Sequence, residues 1–332
     1  MNAATPFELV DPARQDPARA AALLAARRIP STLGNLKLSA ERYVPSDELA
    51  SALNVALALG MPLLLTGEPG TGKTQVAYYV AAYFGIPNVH QLDVRSMTTA
   101  QDLLYEFDSV AYFHAAQRPS GTSDGRPQPA LLRHPFVKRK ALWRAIEDSI
   151  AGRASVVLID EVDKAPRDFP NDILGALDQT EFEVPEWDNP DDLKHGAPYR
   201  VRRPADRPPP IVIITSNSER RLPEPFLRRC VFHHIEFDES LLRRAVNSRR
   251  DDWPRLDPAT VDVAIRRFLD LREKNLRKKP ATAELLAWLM VLSAQNAAAP
   301  RHNAMSLTTP SLREMPALSV LIKDREDLQE LR

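Results

Sequence analysis

Residues 67–74 read GEPGTGKT, so a chain with 11 glycines in 332 residues places three of them within six positions and follows them with a lysine and a threonine. The pattern G-x-x-x-x-G-K-[ST] falls on Gly67, Gly72, Lys73 and Thr74, with Glu68, Pro69, Gly70 and Thr71 filling the turn between. Glycines at these positions let the backbone curl until successive N–H groups point inward at phosphate oxygens, at the positive end of a following helix. Lys73 has the charge and reach to bridge β- and γ-phosphates, and the Thr74 hydroxyl is suited to ligate Mg²⁺. The plain alternative is an ordinary glycine-rich turn.

Three further stretches carry polar groups beside an apolar run. VVLIDE (156–161) ends on Asp160 and Glu161. Asp160 suits a magnesium shell, and Glu161 suits a general base that polarises a water for attack on a γ-phosphate. A pair of capping carboxylates is the bland reading. IVIITSN (211–217) ends on Thr215, Ser216 and Asn217, and a carboxamide there could hold the attacking water or the γ-phosphate without titrating, or simply start a turn. LPEPFLRRCVFHHIEF (222–237) sets Arg228 and Arg229 before a strand-like run, with no local acid to satisfy them. Such a pair is a candidate for reaching a phosphate on another subunit. His233 and His234 are adjacent, so on a strand they point to opposite faces and make a poor metal pair.

These groups need a scaffold that delivers them to one edge. A helix is predicted over SDELASALNVALAL from Ser46 to the stop at Gly60, then a strand over Met61–Thr66, then a helix over TQVAYYVAAYF ending near Gly85. Strands follow at 89–94, 155–160 and 210–217, with helices at 140–150 and 168–180. Alternation at this spacing predicts an α/β fold, a doubly wound parallel sheet whose carboxyl edge binds the ligand. Two long connections, 115–135 and 183–210, interrupt it. Beyond Ser240 only helical patterns remain, the last being SLREMPALSVLIKDREDLQEL. The expected division is an N-terminal arm over 1–41, a core over 42–240, and a helical lid with a helical tail over 241–332.

Composition narrows the class. At 44% apolar and 27% charged residues the chain can bury a sizeable core, and no run approaches the ~18 apolar residues of a membrane span. Cys230 is the lone cysteine and the opening MNAATPFELVDPARQ lacks a secretory pattern, so the cytoplasm is the expected compartment. Lys plus Arg and Asp plus Glu both number 44, which implies no global pull toward nucleic acid or membrane. RVRR (200–203) and LRKK (276–279) lack interleaved aromatics and read as solvated faces.

Taken in order, GEPGTGKT, VVLIDEVDKAP, ITSN and LPEPFLRRCVFHHIEF resemble the AAA+ ATPases, most closely the MoxR-like branch with its dynein-related type of module, over roughly residues 42–240. The resemblance implies a P-loop NTPase core with an all-helical lid. Lys73 and Thr74 would be Walker A residues, Asp160 and Glu161 the Walker B pair, and Asn217 the first sensor. Arg229 would be the arginine finger with Arg228 its rival, and 183–210 would hold a hairpin inserted before the first-sensor strand. The family's second sensor is often an arginine opening a late lid helix; here Thr282 or a neighbour stands there, with Lys278 or Lys279 as substitutes. Asp163 stands where relatives often have asparagine. The resemblance further implies ATP and Mg²⁺, a homo-oligomeric ring, typically a hexamer, and remodelling of a partner protein, often beside a von Willebrand factor A-like domain. A P-loop kinase, a motor or loader acting on nucleic acid, and a nucleotide-gated binding module are the competing classes. Tyr105, Phe107, Tyr112 and Phe113 could grip a substrate or belong to the core.

Overall fold

The continuous apolar runs become strands covered on both faces. The computed structural model describes residues 17–26, 35–117, 131–178, 181–192, 198–207, 209–296 and 301–331. Among them the strands are β1 (Leu63–Gly67), β2 (Val89–Asp93), β3 (Tyr105–Phe107), β4 (Val137–Arg139), β5 (Val156–Asp160), β6 (Glu181–Glu183), β7 (Arg200–Arg202), β8 (Ile211–Ser216) and β9 (Val231–Ile235). The chain divides into two compact units.

The first unit, Asp47–Gly67 with Val76–His234, carries a sheet in the order β2-β5-β8-β1-β9. β2 pairs with β5, β5 with β8 and β8 with β1, all parallel. Leu63, Leu64, Leu65, Val156, Val157, Leu158, Ile159, Ile213 and Ile214 are almost fully removed from water. Each such side chain contributes about 1.5–3 kcal/mol relative to exposure. The helices Ala141–Ile150 and Phe169–Asp178 supply Trp143, Ile146, Phe169, Ile173 and Leu174 to one core with Leu64, Val157, Ile159 and Ile214. The helix Asp47–Leu59 ends at Gly60, whose φ of +64° suits a residue without a Cβ. Two small antiparallel strand pairs, β3 with β4 and β6 with β7, also belong to this unit. The second of them lies inside the 183–210 connection and its flank. Much of the 115–135 connection lies outside the described residues.

The other unit comprises the described residues of Met1–Ser46, Glu68–Gln75 and Ile235–Arg332. Its core is built by the helices Glu239–Ser248, Pro258–Arg272 and Thr282–Gln295 around Leu242, Phe268, Leu285, Trp288, Leu289 and Leu292. The Trp288 indole N–H donates to the Pro316 carbonyl at 2.7 Å, which ties the tail to this core. The tail itself departs from the helical expectation. It forms only a short helix, Ala304–Thr308, single turns at Leu312–Glu314 and Leu318–Val320, and a last helix, Arg325–Glu330. Pro316 is the reason: it removes an N–H and drives Met315 to φ −57°, ψ 136°, outside the helical region. No helix among the described residues is long and apolar enough to cross a membrane.

Candidate active site

Parallel register brings the polar strand ends to one carboxyl edge of the sheet unit. Thr66 is level with Ser216, Ile159 with Ile214, and Asp93 with Asp160. The chain steps past Asp160 through Glu161, which adopts a left-handed conformation at φ 61°, ψ 50°. A non-glycine residue held there carries strain of about 1–3 kcal/mol and persists only where neighbours over-determine it. Thr215 is one such neighbour: it is 1% exposed, its hydroxyl donates to Asp160 Oδ1 at 2.5 Å, and the same oxygen accepts from the Glu161 N–H at 2.9 Å.

The Glu161 carboxylate is engaged at both oxygens. Asn217 Nδ2 donates to Oε1 at 3.1 Å, and Lys164 Nζ donates to Oε2 at 2.5 Å. That hydrogen bond from Lys164 to Glu161 is the main reason the Lys164 ammonium is held above its ordinary range. The buried Asp163 accepts from the backbone N–H groups of Asn217 and Glu219 at 3.2 and 2.9 Å, so the turn after β8 is pinned to the turn after β5. A carboxylate is the right residue for that task because it accepts twice and donates nothing. Asp160, Glu161 and Asn217, singled out by sequence, are thus brought together. Thr215, Asp163 and Lys164 join them without having been given a role, and the signal for Thr215 is visible only in the strand register.

The loop Glu68–Gln75 is held by its own unit. Gly70 and Gly72 have φ of +79° and +91°, conformations that a Cβ would strain. A Cβ on Gly70 would also lie 2.9 Å from the Ala281 Cβ and 3.1 Å from Glu284 Oε2, while the Gly70 carbonyl accepts from the Ala283 N–H at 3.3 Å. Lys73 Nζ donates to the Glu68 carbonyl at 2.9 Å and the Thr71 hydroxyl donates to the same oxygen at 2.8 Å. Gln75 donates to the Leu36 carbonyl at 2.7 Å and accepts from Ser39 at 3.1 Å. The helix Lys73–Tyr83 follows at once, so the loop stands at a helix N-terminus. A glycine-built turn, an ammonium, a hydroxyl and a helix start are a donor set matched to phosphate and to a hydrated hard cation.

The remaining candidates separate. Arg228 is tied to Glu224 at 2.6 Å, whereas the Arg229 side chain is exposed and makes no hydrogen bond or ion pair among the described residues, its backbone N–H donating to the Phe226 carbonyl at 3.1 Å. His234 Nδ1 lies 2.8 Å from the Thr66 hydroxyl, and the described residues contain no group of three or more His, Cys, Asp or Glu that could hold a metal. Lys278 and Lys279 are exposed; the basic side chain that reaches the loop is Arg272, whose Nη2 lies 3.0 Å from Glu68 Oε2. Of the four aromatics, Tyr105 is buried against Trp143 and Phe182, while Phe113 is 61% exposed. A cavity of ≈ 590 Å³ is lined by His90, His134, Arg139, Asp148, Arg153 and Trp187 among others, and by none of the candidate site residues.

A family profile described as AAA domain (dynein-related subfamily) matches residues 62–230, just over half of the chain. No curated protein matches at a significant level. Among solved structures, a candidate ATPase of Cytophaga hutchinsonii is similar at 12% identity and a TM-score of 0.36, covering 90% of this chain and 84% of its own. The RuvB Holliday junction branch migration motor of Thermotoga maritima is similar at 15% identity and a TM-score of 0.37, covering 83% of this chain and 67% of its own.

Proposed function

Because the chain belongs to the dynein-related subfamily of AAA domains, we propose that it hydrolyses ATP with Mg²⁺ and uses the energy to remodel or activate a partner protein. The observation that carries this reading is Glu161, a carboxylate set in a left-handed turn at the end of β5 with Asn217 on one oxygen. A strained, doubly held acid after a buried strand is a poor structural choice and a good place for a base. Gly67, Glu68, Pro69, Gly70, Thr71 and Gly72 would cradle the phosphates with their backbone N–H groups, and Lys73 would offset their charge. Thr74 and Asp160 are the residues that would hold Mg²⁺, whose bound charge would stabilise the phosphates as they react. Glu161 would take the proton of the attacking water, and Asn217 would orient it.

Arg229, exposed and unpaired among the described residues, is the better finger, and a finger from a neighbour implies a homo-oligomeric ring, in this family's usual form a hexamer. The partner would be a protein, with an adaptor bearing a von Willebrand factor A-like domain as the expected type, and the cytoplasm the expected setting. The core is proposed over 42–240 and the helical lid and tail over 241–332. Calorimetry with Lys73→Ala and Glu161→Gln tests the reading. Lys73→Ala should abolish MgATP binding, and Glu161→Gln should keep affinity while losing turnover. Wild-type turnover in Glu161→Gln would refute its role as base.

A further inference from the structure

Arg272 ends the helix Pro258–Arg272 and is only 9% exposed. A guanidinium cannot shed its proton, so burial obliges it to find partners. Three surround it. It donates to the Pro280 carbonyl, its Cζ lies 3.7 Å from the centroid of the Phe237 ring, and its Nη2 donates to Glu68 Oε2 at 3.0 Å. Two of these contacts hold the guanidinium inside the helical core, and the third reaches the glycine-rich loop of the same unit.

Glu68 is the hub of that loop, because its carbonyl accepts from both Lys73 Nζ and the Thr71 hydroxyl. Its side chain is nevertheless the wrong charge for a loop that binds anions. A free carboxylate a few ångströms from the phosphates would repel them, and because the Glu68 side chain is 48% exposed, water and salt would screen part of that repulsion. We propose that Arg272 is the counter-ion of the phosphate loop: a positioning residue that neutralises Glu68 and holds its carboxylate against the helical core, leaving the backbone N–H groups and Lys73 to face the nucleotide. The inference rests on the reading of this loop as a phosphate cradle. It explains why an arginine is buried at the end of this helix, and it assigns Glu68 a fixed partner 204 positions away in sequence. The fork geometry matters, since one planar guanidinium lies over the ring while its fixed N–H groups reach carbonyl and carboxylate in different directions.

Calorimetric titration of MgATP into the full chain tests the charge balance with Arg272→Met, Glu68→Gln, the double variant, and Arg277→Gln as a control on the same unit, where Arg277 pairs with Glu326 at the surface. Arg272→Met should weaken binding by about tenfold or more, as an uncompensated carboxylate beside a polyphosphate requires. Glu68→Gln should bind several-fold tighter, and the double variant should return to near the wild-type constant. The deficit of Arg272→Met should shrink as salt rises, because screening weakens the repulsion. Arg277→Gln should match the wild type. A double variant as weak as Arg272→Met would overturn the proposal and assign Arg272 to packing alone, and an unweakened Arg272→Met would overturn it outright. If Arg272→Met does not fold, Glu68→Gln decides: weaker binding there contradicts the counter-ion role. A wild type that binds no ATP would instead remove the phosphate-cradle reading itself.

Discussion

Replacing Thr215 by valine removes one hydroxyl and leaves the shape of a buried side chain almost unchanged. That hydroxyl donates to Asp160 Oδ1 at 2.5 Å and accepts from the Glu161 N–H at 2.9 Å. A hydrogen bond to a carboxylate contributes about 1.5–3 kcal/mol and one from a backbone amide about 0.5–1.5 kcal/mol, so Thr215→Val should cost roughly 2–4 kcal/mol in the sheet unit. For a unit of this size that corresponds to a fall in Tm of about 5–15 °C. Thr215→Ser keeps the hydroxyl and loses one methyl, which should cost only about 1 kcal/mol. Differential scanning calorimetry separates the two. A second readout isolates function: with its turn released, Glu161 should leave the left-handed conformation, so kcat should drop while KM for ATP stays near its original value. The reasoning fails if Thr215→Val melts with the wild type, or if serine and valine are equally damaging, since either result would mean that the hydroxyl does not hold the turn.

Arg229→Ala should spare ATP binding but lower turnover by roughly 10³-fold. Mixing it with Lys73→Ala should restore part of the activity, and no rescue together with a rate per chain that is flat on dilution would leave Arg229 a surface residue. Burial pushes the Cys230 thiol up to about 12, so the folded chain should resist iodoacetamide at pH 8 and react at once when unfolded in urea. The sign follows: folding favours the neutral thiol, so this contribution to stability is whole below the unfolded thiol's value of about 8.5 and declines as pH rises above it. Rapid alkylation of the native chain at pH 8 would contradict the buried assignment.

The strands that build the site were legible because a parallel sheet covered on both faces demands unbroken apolar runs, and MPLLLT, SVVLID and PIVIITSN supply them. Asp160, Glu161 and Asn217 were legible for the same reason, each standing where such a run stops. The strand pairs β3–β4 and β6–β7 were weaker signals, because strands of three residues carry no period to detect. Thr215 looked like filler in ITSN until the register set its hydroxyl beside Asp160 and Glu161. Arg272 was hidden by distance, since nothing local to DLREKN hints at a carboxylate at Glu68. The tail misled because its apolar spacing is helical while Pro316 forbids one continuous helix.

The place of β1 in the sheet has a consequence for how the protein is made. β1 leaves the ribosome well before its neighbours β8 and β9, so Leu63 must wait for Ile213 to be synthesised before it can pair. At about 5–20 residues per second that interval lasts on the order of ten seconds. Throughout it an apolar strand of Leu63, Leu64 and Leu65 has open edges and no partner, the condition under which nascent chains associate wrongly. Long-range pairing of this kind also makes folding slow once the chain is released. Slower translation between β5 and β8, or truncation before β8, should therefore raise insoluble product far more than the same changes made after β9.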